Sequence, residues 1–417
     1  MTVTSNRFFM LQSHMEKNKK AADFNAVALC AVGAEKVVSN ELRKLNFKVE
    51  ESLYGRVRFK TDLKGLYQAL IGLRAADRVL LEAAQFKAAD FDALFEGAAS
   101  VQWEKVVPKG MGLKIVKVRT NRSQLKAETT IQGMVHKAAA QRLCEKFKMS
   151  RLPEPGVNTP VNVAEVRVYI EKDMVSLLLD LSGEPLFKRG YRSEGGAAPL
   201  RETTAASILL LSGWKRKFPL YDPFCGSGTI LIEAAMYAWD IAPGLSRHFA
   251  LEDMLIADSE IEKQVREEFK SKIDFSRLVR IAGSDEEMRS VSIAVSNTAR
   301  LRDIAEGRDP QHGIRSKNDA QGIDFKVLPM KEAASPFSGE DAGFIVTNPP
   351  YGKRLGDQAM AEEIYKEMAG LNSRFPGWKL AVITDHSGFE SFYGKKADSC
   401  REISNGAIPS YFFEYNI

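Results

Sequence analysis

Residues 344–354 read Phe-Ile-Val-Thr-Asn-Pro-Pro-Tyr-Gly-Lys-Arg, which joins a short apolar run to a rigid turn. The first three residues have the composition of a buried parallel strand. The two prolines cannot donate ladder hydrogen bonds, and each restricts the preceding residue to extended geometry. We therefore predict a strand over residues 344–346 and a stiff, non-helical backbone just beyond it. Open α/β sheets bind their ligands at this end of the strands.

This turn carries groups suited to the methylation of a planar nitrogen. An exocyclic base amine or a side-chain amide is a poor nucleophile because its lone pair is delocalised into the π system. The Asn348 side-chain oxygen and the Pro349 carbonyl, held by the stiff Pro349-Pro350 backbone, could accept its N–H groups and direct the lone pair. Tyr351 offers a flat face for stacking, worth about 1–3 kcal/mol by analogy with base–aromatic contacts. A stiff turn without catalytic function is the alternative.

A glycine-rich turn upstream is a candidate donor site. Asp222-Pro-Phe-Cys-Gly-Ser-Gly-Thr229 lies between a predicted strand (218–221) and a predicted helix (229–237). Gly226 and Gly228 let the backbone approach a ligand at the helix N-terminus, whose N–H groups and dipole favour a carboxylate. The turn has only G-x-G and lacks the third glycine of a dinucleotide fingerprint, so a structural turn is an equal alternative.

The next predicted strand, 278–285, ends at an acid. In a doubly wound sheet, Asp285 is placed to accept both ribose hydroxyls of an adenosine-like ligand. Glu286 and Glu287 are close substitutes, and any of the three could instead cap the following helix. Further strands are predicted over 325–328, 378–384 and 411–415. Strands that alternate with helices in this order predict an α/β, doubly wound domain.

Length and composition indicate a multidomain globular protein. The 417 residues, 44% of them apolar, exceed a typical single domain. Because there is no run of 18 apolar residues and no signal-like apolar centre near the start, we expect a soluble, cytoplasmic protein. The four cysteines are far apart and form no C-x-x-C pair, so neither a metal site nor a disulfide framework is predicted.

Positive charge is concentrated in residues 101–150. The whole chain has a net charge of +5, whereas this segment alone carries eleven Lys/Arg and three Asp/Glu. Alternation over 113–119 predicts a strand with Lys114 on one face and Lys117 and Arg119 on the other. Arg122 and Lys126 follow in a polar loop. This basic excess is a plausible RNA footprint, although charge runs are often only solvated faces.

A helix follows the basic strand and loop. Apolar residues recur every fourth position from Ile131 to Phe147, which predicts a core-facing stripe. Lys137, Arg142 and Lys146 lie off it and form a basic face that is a candidate nucleic-acid surface. Before the basic segment we predict strands over 26–31 and 55–59 and helices over 34–45 and 66–81. After it we predict strands over 164–171 and 174–180, then a domain boundary near Gly183.

Four motifs together resemble the THUMP-containing class I RNA methyltransferases, and most closely the bacterial 23S ribosomal RNA guanine-N2 methyltransferases. They are Lys188-Arg-Gly-Tyr-Arg192, Pro199-Leu-Arg-Glu202, Asp222-Pro-Phe-Cys-Gly-Ser-Gly-Thr229 with Glu233-Ala-Ala, and Asn348-Pro-Pro-Tyr-Gly352 with Arg354-Leu. The resemblance implies a polar lead-in (1–24), a ferredoxin-like unit (25–65), an RNA-binding THUMP domain (66–183) and a methyltransferase domain (184–417).

The same resemblance assigns ligands to the motifs. The implied S-adenosyl-L-methionine site consists of Asp222, Phe224, Gly226, Ser227, Gly228, Thr229 and Asp285. The target base would be held by Asn348, Pro349, Pro350 and Tyr351, and ribosomal RNA would contact Lys114, Lys117, Arg119, Arg122 and Lys126. One departure is Pro329, which stands where the family commonly has an acid near the cofactor adenine. The polar residues 302–322 have no assigned role.

Competing functions share these motifs. An adenine-N6 methyltransferase acting on DNA or RNA fits Asn-Pro-Pro-Tyr equally well, because both targets are exocyclic amines. Glutamine methylation would leave the basic segment unexplained. A non-catalytic RNA-binding protein is disfavoured by the presence of both a donor turn and an acceptor turn.

Overall fold

Two seven-stranded sheets organise the chain. The computed structural model describes residues 24–154, 161–192, 200–310, 322–337, 339–350, 358–406 and 408–417. Tyr351 and the predicted lead-in up to residue 23 lie outside these ranges.

The first sheet has strand order β2-β3-β1-β4-β7-β6-β5. All its neighbouring strands are antiparallel except β5 and β6. Its strands are β1 (Phe24–Cys30), β2 (Lys48–Leu53), β3 (Arg56–Thr61), β4 (Ala76–Lys87), β5 (Gly112–Asn121), β6 (Val163–Glu171) and β7 (Met174–Asp180). Four helices accompany it, α1 (Glu35–Lys44), α2 (Leu63–Gly72), α3 (Phe91–Ser100) and α4 (Glu128–Phe147). Because β4 pairs with both β1 and β7, the proposed ferredoxin-like and THUMP units share one continuous sheet.

The helix predicted over 66–81 is correct only as far as Gly72. The chain forms α2, turns extended at Leu73 and then enters β4. Residues 79–84 of β4 are all buried because the strand lies in the middle of the sheet. A continuous apolar run of this kind cannot be separated from a buried helix by periodicity alone.

The prediction that Lys114 lies on the opposite face of its strand from Lys117 and Arg119 is also wrong. A register shift between Ile115 and Lys117 adds a residue to β5. Since side chains alternate with period two, this β-bulge moves the following residues to the opposite face. Lys114, Lys117 and Arg119 are therefore all exposed on one face, while Ile115 and Val118 are buried on the other.

Helix α4 confirms the predicted apolar stripe, since Ile131, Val135, Ala139 and Leu143 are buried. Arg142, however, is not part of an open basic face. Its guanidinium forms two hydrogen bonds with the carboxylate of Glu104, at 2.7 and 2.8 Å.

The second sheet confirms the predicted doubly wound α/β domain. Its order is β10-β9-β8-β11-β12-β14-β13; the first five strands are parallel, β14 is antiparallel to β12, and β13 is antiparallel to β14. The strands are β8 (Leu220–Asp222), β9 (Ile281–Asp285), β10 (Ile323–Val327), β11 (Phe344–Thr347), β12 (Lys379–Thr384), β13 (Ser399–Asn405) and β14 (Ile408–Asn416). The helices are α5 (Glu202–Leu211), α6 (Thr229–Ala238), α7 (Ser259–Lys270), α8 (Met288–Thr298), α9 (Leu301–Glu306), α10 (Gln358–Met368), α11 (Leu371–Arg374) and α12 (Phe389–Tyr393).

One large apolar cluster runs through both sheets. The contact between them is close, because a Cβ added to Gly72 of α2 would lie 2.6 Å from the ring of Phe269 in α7. Likewise, the Gly244 N–H donates to the Ile71 carbonyl at 2.9 Å. The two halves of the chain are therefore packed against each other without an open linker among the described residues.

Candidate active site

The donor turn follows β8 directly and is held by backbone contacts. The Cys225 N–H donates to the Ser284 carbonyl at 2.9 Å, which fixes the turn beside the end of β9. Gly226 and Gly228 have φ of +51° and +81°, a region that side chains with a Cβ rarely adopt. Gly228 is the residue that precedes α6, so the turn delivers the chain straight into a helix N-terminus.

Asp285 lies beside this turn, as the sequence predicts, and its carboxylate already accepts two backbone hydrogen bonds. The Gly226 N–H donates to one oxygen at 2.9 Å, and the Glu287 N–H donates to the other at 3.0 Å. Burial raises the pKa of this carboxyl group, against the opposing effect of these two bonds. Since an ionised carboxylate offers about four lone-pair sites, it can accept further hydrogen bonds from a ligand.

Asp222 joins the donor turn to the acceptor strand. Its carboxylate accepts a hydrogen bond from the Thr347 hydroxyl at 2.6 Å and one from the Phe224 N–H at 3.0 Å. Burial raises the pKa of Asp222 to about 7, and the negative charge of Asp285 adds to the rise. Thr347 is the last residue of β11, so this bond fixes the spacing between the donor and acceptor turns.

The acceptor turn continues from Thr347 into Asn348 and the two prolines. Pro349 is buried, whereas Asn348 and Pro350 are partly exposed. The Tyr365 hydroxyl of α10 donates to the Pro350 carbonyl at 3.3 Å and contacts the Thr384 hydroxyl at 3.0 Å. This support keeps the end of β11 in place. Tyr351, predicted as the stacking residue, is outside the described part of the chain.

A single cavity of about 590 Å³ contains both turns. Its walls include Asp222, Phe224, Gly226, Ser227 and Thr229 from the donor turn, Asp285, and Asn348 and Pro350 from the acceptor turn. The volume is typical of sites for small ligands and cofactors. An amino-acid carboxylate fits the helix N-terminus after Gly228, and ribose hydroxyls fit Asp285. The residues present therefore suit S-adenosylmethionine.

Pro329 lies in the wall of the same cavity, followed by Met330 and Lys331. Ile293 of α8 also lines it. Pro329, Met330 and Ile293 offer an apolar surface to this part of the cavity, which suits contact with an adenine ring.

Arg192 supports the donor turn and was not among the predicted site residues. It donates to the Thr229 hydroxyl at 3.0 Å and to the Ser227 hydroxyl at 3.4 Å. The Arg192 Nε–H donates to the Glu202 carboxylate at 2.9 Å. Both residues belong to motifs that carried the family resemblance, but no local pattern in the sequence places them beside residue 227.

The five predicted RNA contacts lie elsewhere. Lys114, Lys117 and Arg119 are on β5, at the edge of the N-terminal sheet, and Arg122 and Lys126 follow it. None of the five lines the cavity described above. A substrate that contacts these residues and the cavity at the same time must therefore be long enough to span both regions.

Within the described ranges, no group of three or more His, Cys, Asp or Glu side chains is arranged to hold a metal ion. In the same residues, no helix is long and apolar enough to cross a membrane.

A doubly wound sheet with a glycine-rich turn, an acid at the end of the neighbouring strand and an Asn-Pro-Pro turn in one cavity, together with the matches below, identifies a class I S-adenosylmethionine-dependent methyltransferase. The chain belongs to the RMKL-like methyltransferase domain family, which matches residues 189–412. The RlmL ferredoxin-like domain family matches residues 25–80.

Two curated proteins are similar over nearly the whole chain. "Putative RNA methyltransferase YpsC" of Bacillus subtilis is 33% identical over 394 residues, 94% of this chain and 96% of that protein. "Ribosomal RNA large subunit methyltransferase K/L" of Syntrophotalea carbinolica is 32% identical over 395 residues, 92% of this chain. The match spans only 52% of that second protein.

Two solved structures are similar to the same extent. "SMU.472, a putative methyltransferase complexed with SAH" is 33% identical, with a TM-score of 0.80 over 94% of this chain and 98% of that one. "A predicted N6-adenine-specific DNA methylase from Listeria monocytogenes" is also 33% identical, with a TM-score of 0.80 over 94% of this chain and 96% of that one.

Proposed function

We propose that this protein transfers a methyl group from S-adenosylmethionine to the exocyclic N2 amine of a guanine in 23S ribosomal RNA, in the cytoplasm. The observation that carries the proposal is that Asn348 and Pro350 line the same cavity as the donor turn and Asp285. A methyl donor and a planar amine bound at these two turns would meet inside one cavity.

Each turn has a distinct part in the proposed reaction. The bound cofactor supplies an electrophilic methyl group. The Asn348 side-chain oxygen and the Pro349 carbonyl accept hydrogen bonds from the amine and turn its lone pair toward the donor, so that no strong base is needed. A base inside a helix must first be flipped out, at a cost of a few kcal/mol, which stacking on Tyr351 would partly offset.

The choice of ribosomal RNA rests on the relatives and on charge, and the choice of guanine rests on the resemblance of the four sequence motifs to guanine-N2 methyltransferases. A relative named for large-subunit ribosomal RNA matches across 92% of this chain, although this chain spans about half of that protein. The excess of eight positive charges in residues 101–150 supports a nucleic-acid substrate. We assign this part to an RNA-binding THUMP domain.

Adenine-N6 methylation of DNA or RNA is the second candidate. The two acceptors at Asn348 and Pro349 would bind the amino group of adenine as well as that of guanine. A solved structure with a similar fold and 33% identity is described as a predicted N6-adenine-specific DNA methylase.

Nucleoside analysis separates the two candidates. Ribosomal RNA and DNA from a strain lacking the gene are digested and compared by mass spectrometry with the parent and the complemented strain. We expect one N2-methylguanosine of 23S ribosomal RNA to be lost and then restored by the gene. Loss of N6-methyladenosine with all N2-methylguanosine intact would establish the second candidate instead.

A further inference from the structure

The N-terminal sheet has two very different faces. Helices α1–α4 contribute buried side chains to the same core cluster as the inward-facing residues of β1 and β3, such as Ala28 and Phe59. We call the opposite side of this sheet the open face. Its apolar part is small, with Val27, Leu80 and Leu178 at the centre. Around that centre the open face carries charged side chains.

Near the middle of the open face, arginines are matched by acids. Arg58 pairs with Glu82 at 2.8 Å. Asp180 is shared by Arg78 at 2.5 Å and Arg167 at 3.3 Å. This part of the surface is close to neutral and holds its side chains in place.

Toward the β5 edge the positive charges lose their matching acids. Lys114 and Lys117 form no ion pair within 4 Å among the described residues. Glu165, the register partner of Lys114 on β6, lies 3.9 Å from Arg167 instead. Arg119 pairs with the exposed Glu128 at 3.3 Å, a contact that contributes little. Burial lowers the pKa of Lys117, and the neighbouring charges of Arg119 and Arg167 lower it further. Crowded like charges of this kind are stabilised by a polyanion.

An aromatic ring lies among these charges. Tyr169 of β6 is the register partner of Arg119 on β5. The guanidinium of Arg56 stands 4.8 Å from the centre of the same ring. Alternating cations and a ring suit a strand of nucleic acid, because phosphates bind the cations and an unstacked base can stack on the ring and guanidinium.

A cleft adjoins the open face at Gly183. Arg78 donates to the Gly183 carbonyl at 2.8 Å, and Gly183 lines a cleft of about 520 Å³ together with Lys188 and Arg247. Arg192, which binds the donor turn, is four residues beyond Lys188. Four residues span at most about 14 Å, so the backbones of Lys188 and Arg192 lie no farther apart than that.

We propose that RNA is anchored on the open face at Lys114, Lys117 and Arg119, beside Tyr169. The proposal rests on the proposed RNA substrate and adds where that RNA binds. It excludes the exposed lysines of α4, Lys137 and Lys146, which belong to the helical layer on the other side of the sheet.

Two full-length variants, each with three positive charges removed, test this assignment. The first carries Lys114→Ala, Lys117→Ala and Arg119→Ala. The matched control carries Lys109→Ala, Lys137→Ala and Lys146→Ala, all at exposed positions. The probe is 23S ribosomal RNA extracted from a strain lacking the gene, and binding is measured over a range of salt concentrations. Affinity for S-adenosylhomocysteine and the melting temperature establish that each variant is folded.

We expect the first variant to bind RNA roughly tenfold to a hundredfold more weakly at 0.15 M salt, with a salt slope smaller by about 2–3, since each lost phosphate contact removes about 0.7–0.9. The control is expected to retain the affinity and slope of the wild type. Equal losses of RNA affinity in both variants, or a loss in the control alone, would overturn the assignment of RNA binding to the open face. The proposed function would remain intact.

A single substitution adds a test that is independent of charge. Tyr169→Leu is expected to weaken RNA binding severalfold without changing the salt slope, because stacking releases no counterions. If Tyr169→Leu binds RNA with unchanged affinity, Tyr169 is not part of the RNA-binding surface.

If the wild type itself binds no RNA, or binds duplex DNA equally well through the same residues, both this assignment and the RNA substrate fail. If the wild-type protein binds RNA but the deletion strain retains all of its N2-methylguanosine, the proposed function fails and the RNA-binding assignment stands.

Discussion

Asp285 has two tasks that a single substitution should disturb together. It shapes the donor turn through the Gly226 N–H and is placed to accept the ribose hydroxyls. We expect Asp285→Ala to weaken S-adenosylhomocysteine binding about tenfold to a hundredfold, because each charge-assisted hydrogen bond contributes about 1.5–3 kcal/mol. Calorimetry on this variant, with Glu286→Ala and Glu287→Ala as controls, measures the effect. If a control loses affinity and Asp285→Ala does not, the ribose contact belongs to that glutamate.

Asn348 separates cofactor binding from methyl transfer. Its proposed contact is with the substrate amine, so Asn348→Ala should lower methyl transfer by at least about a hundredfold while cofactor affinity changes little. Transfer is measured with labelled S-adenosylmethionine and RNA from the deletion strain, and affinity is measured by calorimetry. Near-normal turnover would show that the proposed acceptor role is wrong.

Asp222 should make stability depend on pH. Its folded pKa is about 7, raised by burial, whereas an unfolded aspartate titrates near 3.9. Between these values the native state binds more protons than the unfolded state, so the free energy of unfolding falls as pH rises, by up to about 1.4 kcal/mol per pH unit. Asp222→Asn removes this contribution.

Urea unfolding between pH 4.5 and 7 measures the Asp222 effect. We expect the stability of the wild type relative to Asp222→Asn to decline steadily as pH rises through this window. A difference between the two proteins that stays constant with pH would contradict the raised pKa.

At the scale of elements, β9 must pass unusually close to the donor turn. A Cβ at Gly283 would lie 2.4 Å from the Leu231 side chain and 2.8 Å from the Cys225 Cβ. We expect Gly283→Ala to destabilise the protein by about 1–3 kcal/mol and to weaken cofactor binding, since the turn has to move. Denaturant unfolding and calorimetry measure the two effects.

Gly133 of α4 is the matched control for this substitution. An added Cβ there would meet nothing within 4 Å. Gly133→Ala should therefore stabilise the protein by about 0.5–1 kcal/mol through helix propensity and leave cofactor affinity unchanged. If Gly283→Ala behaves in the same way as Gly133→Ala, close packing does not shape the turn.

At the scale of the whole molecule, the two sheets should unfold together. One apolar cluster runs through both, and the N-terminal half contacts the catalytic half directly, as at Gly72 and Phe269. Large apolar interfaces couple domains that would otherwise unfold separately. We expect a single calorimetric transition for the full chain. Adding S-adenosylhomocysteine should shift this whole transition to a higher temperature. Two transitions, of which only one responds to the ligand, would contradict this coupling.

The same packing alters how RNA binding should be tested. A fragment that begins near Leu186 would expose the part of the core that contacts α2 and β4, so its loss of RNA binding could reflect misfolding. Charge variants of the full chain keep this core intact, and for that reason they give the clearer measurement.

The amino-acid sequence was sufficient to predict the catalytic fold and its two turns. These features are local, because a buried strand, a glycine-rich turn and the following helix are specified within one continuous segment, residues 220–238. Carboxyl ends of parallel strands meet at one edge of a sheet, so the turns at Asp222, Asp285 and Asn348 could be expected to lie together.

The tertiary structure alone decided the features that depend on distant partners. The bulge in β5 brings Lys114, Lys117 and Arg119 to one face because its register is set by pairing with β6. Arg142 leaves the basic surface because Glu104, distant in sequence, binds its guanidinium. Residues 66–81 divide into α2 and β4 because the central position of β4 makes an apolar run buried on both faces favourable. Strand register, sheet position and ion pairing are non-local interactions, and periodicity within one segment carries no information about them.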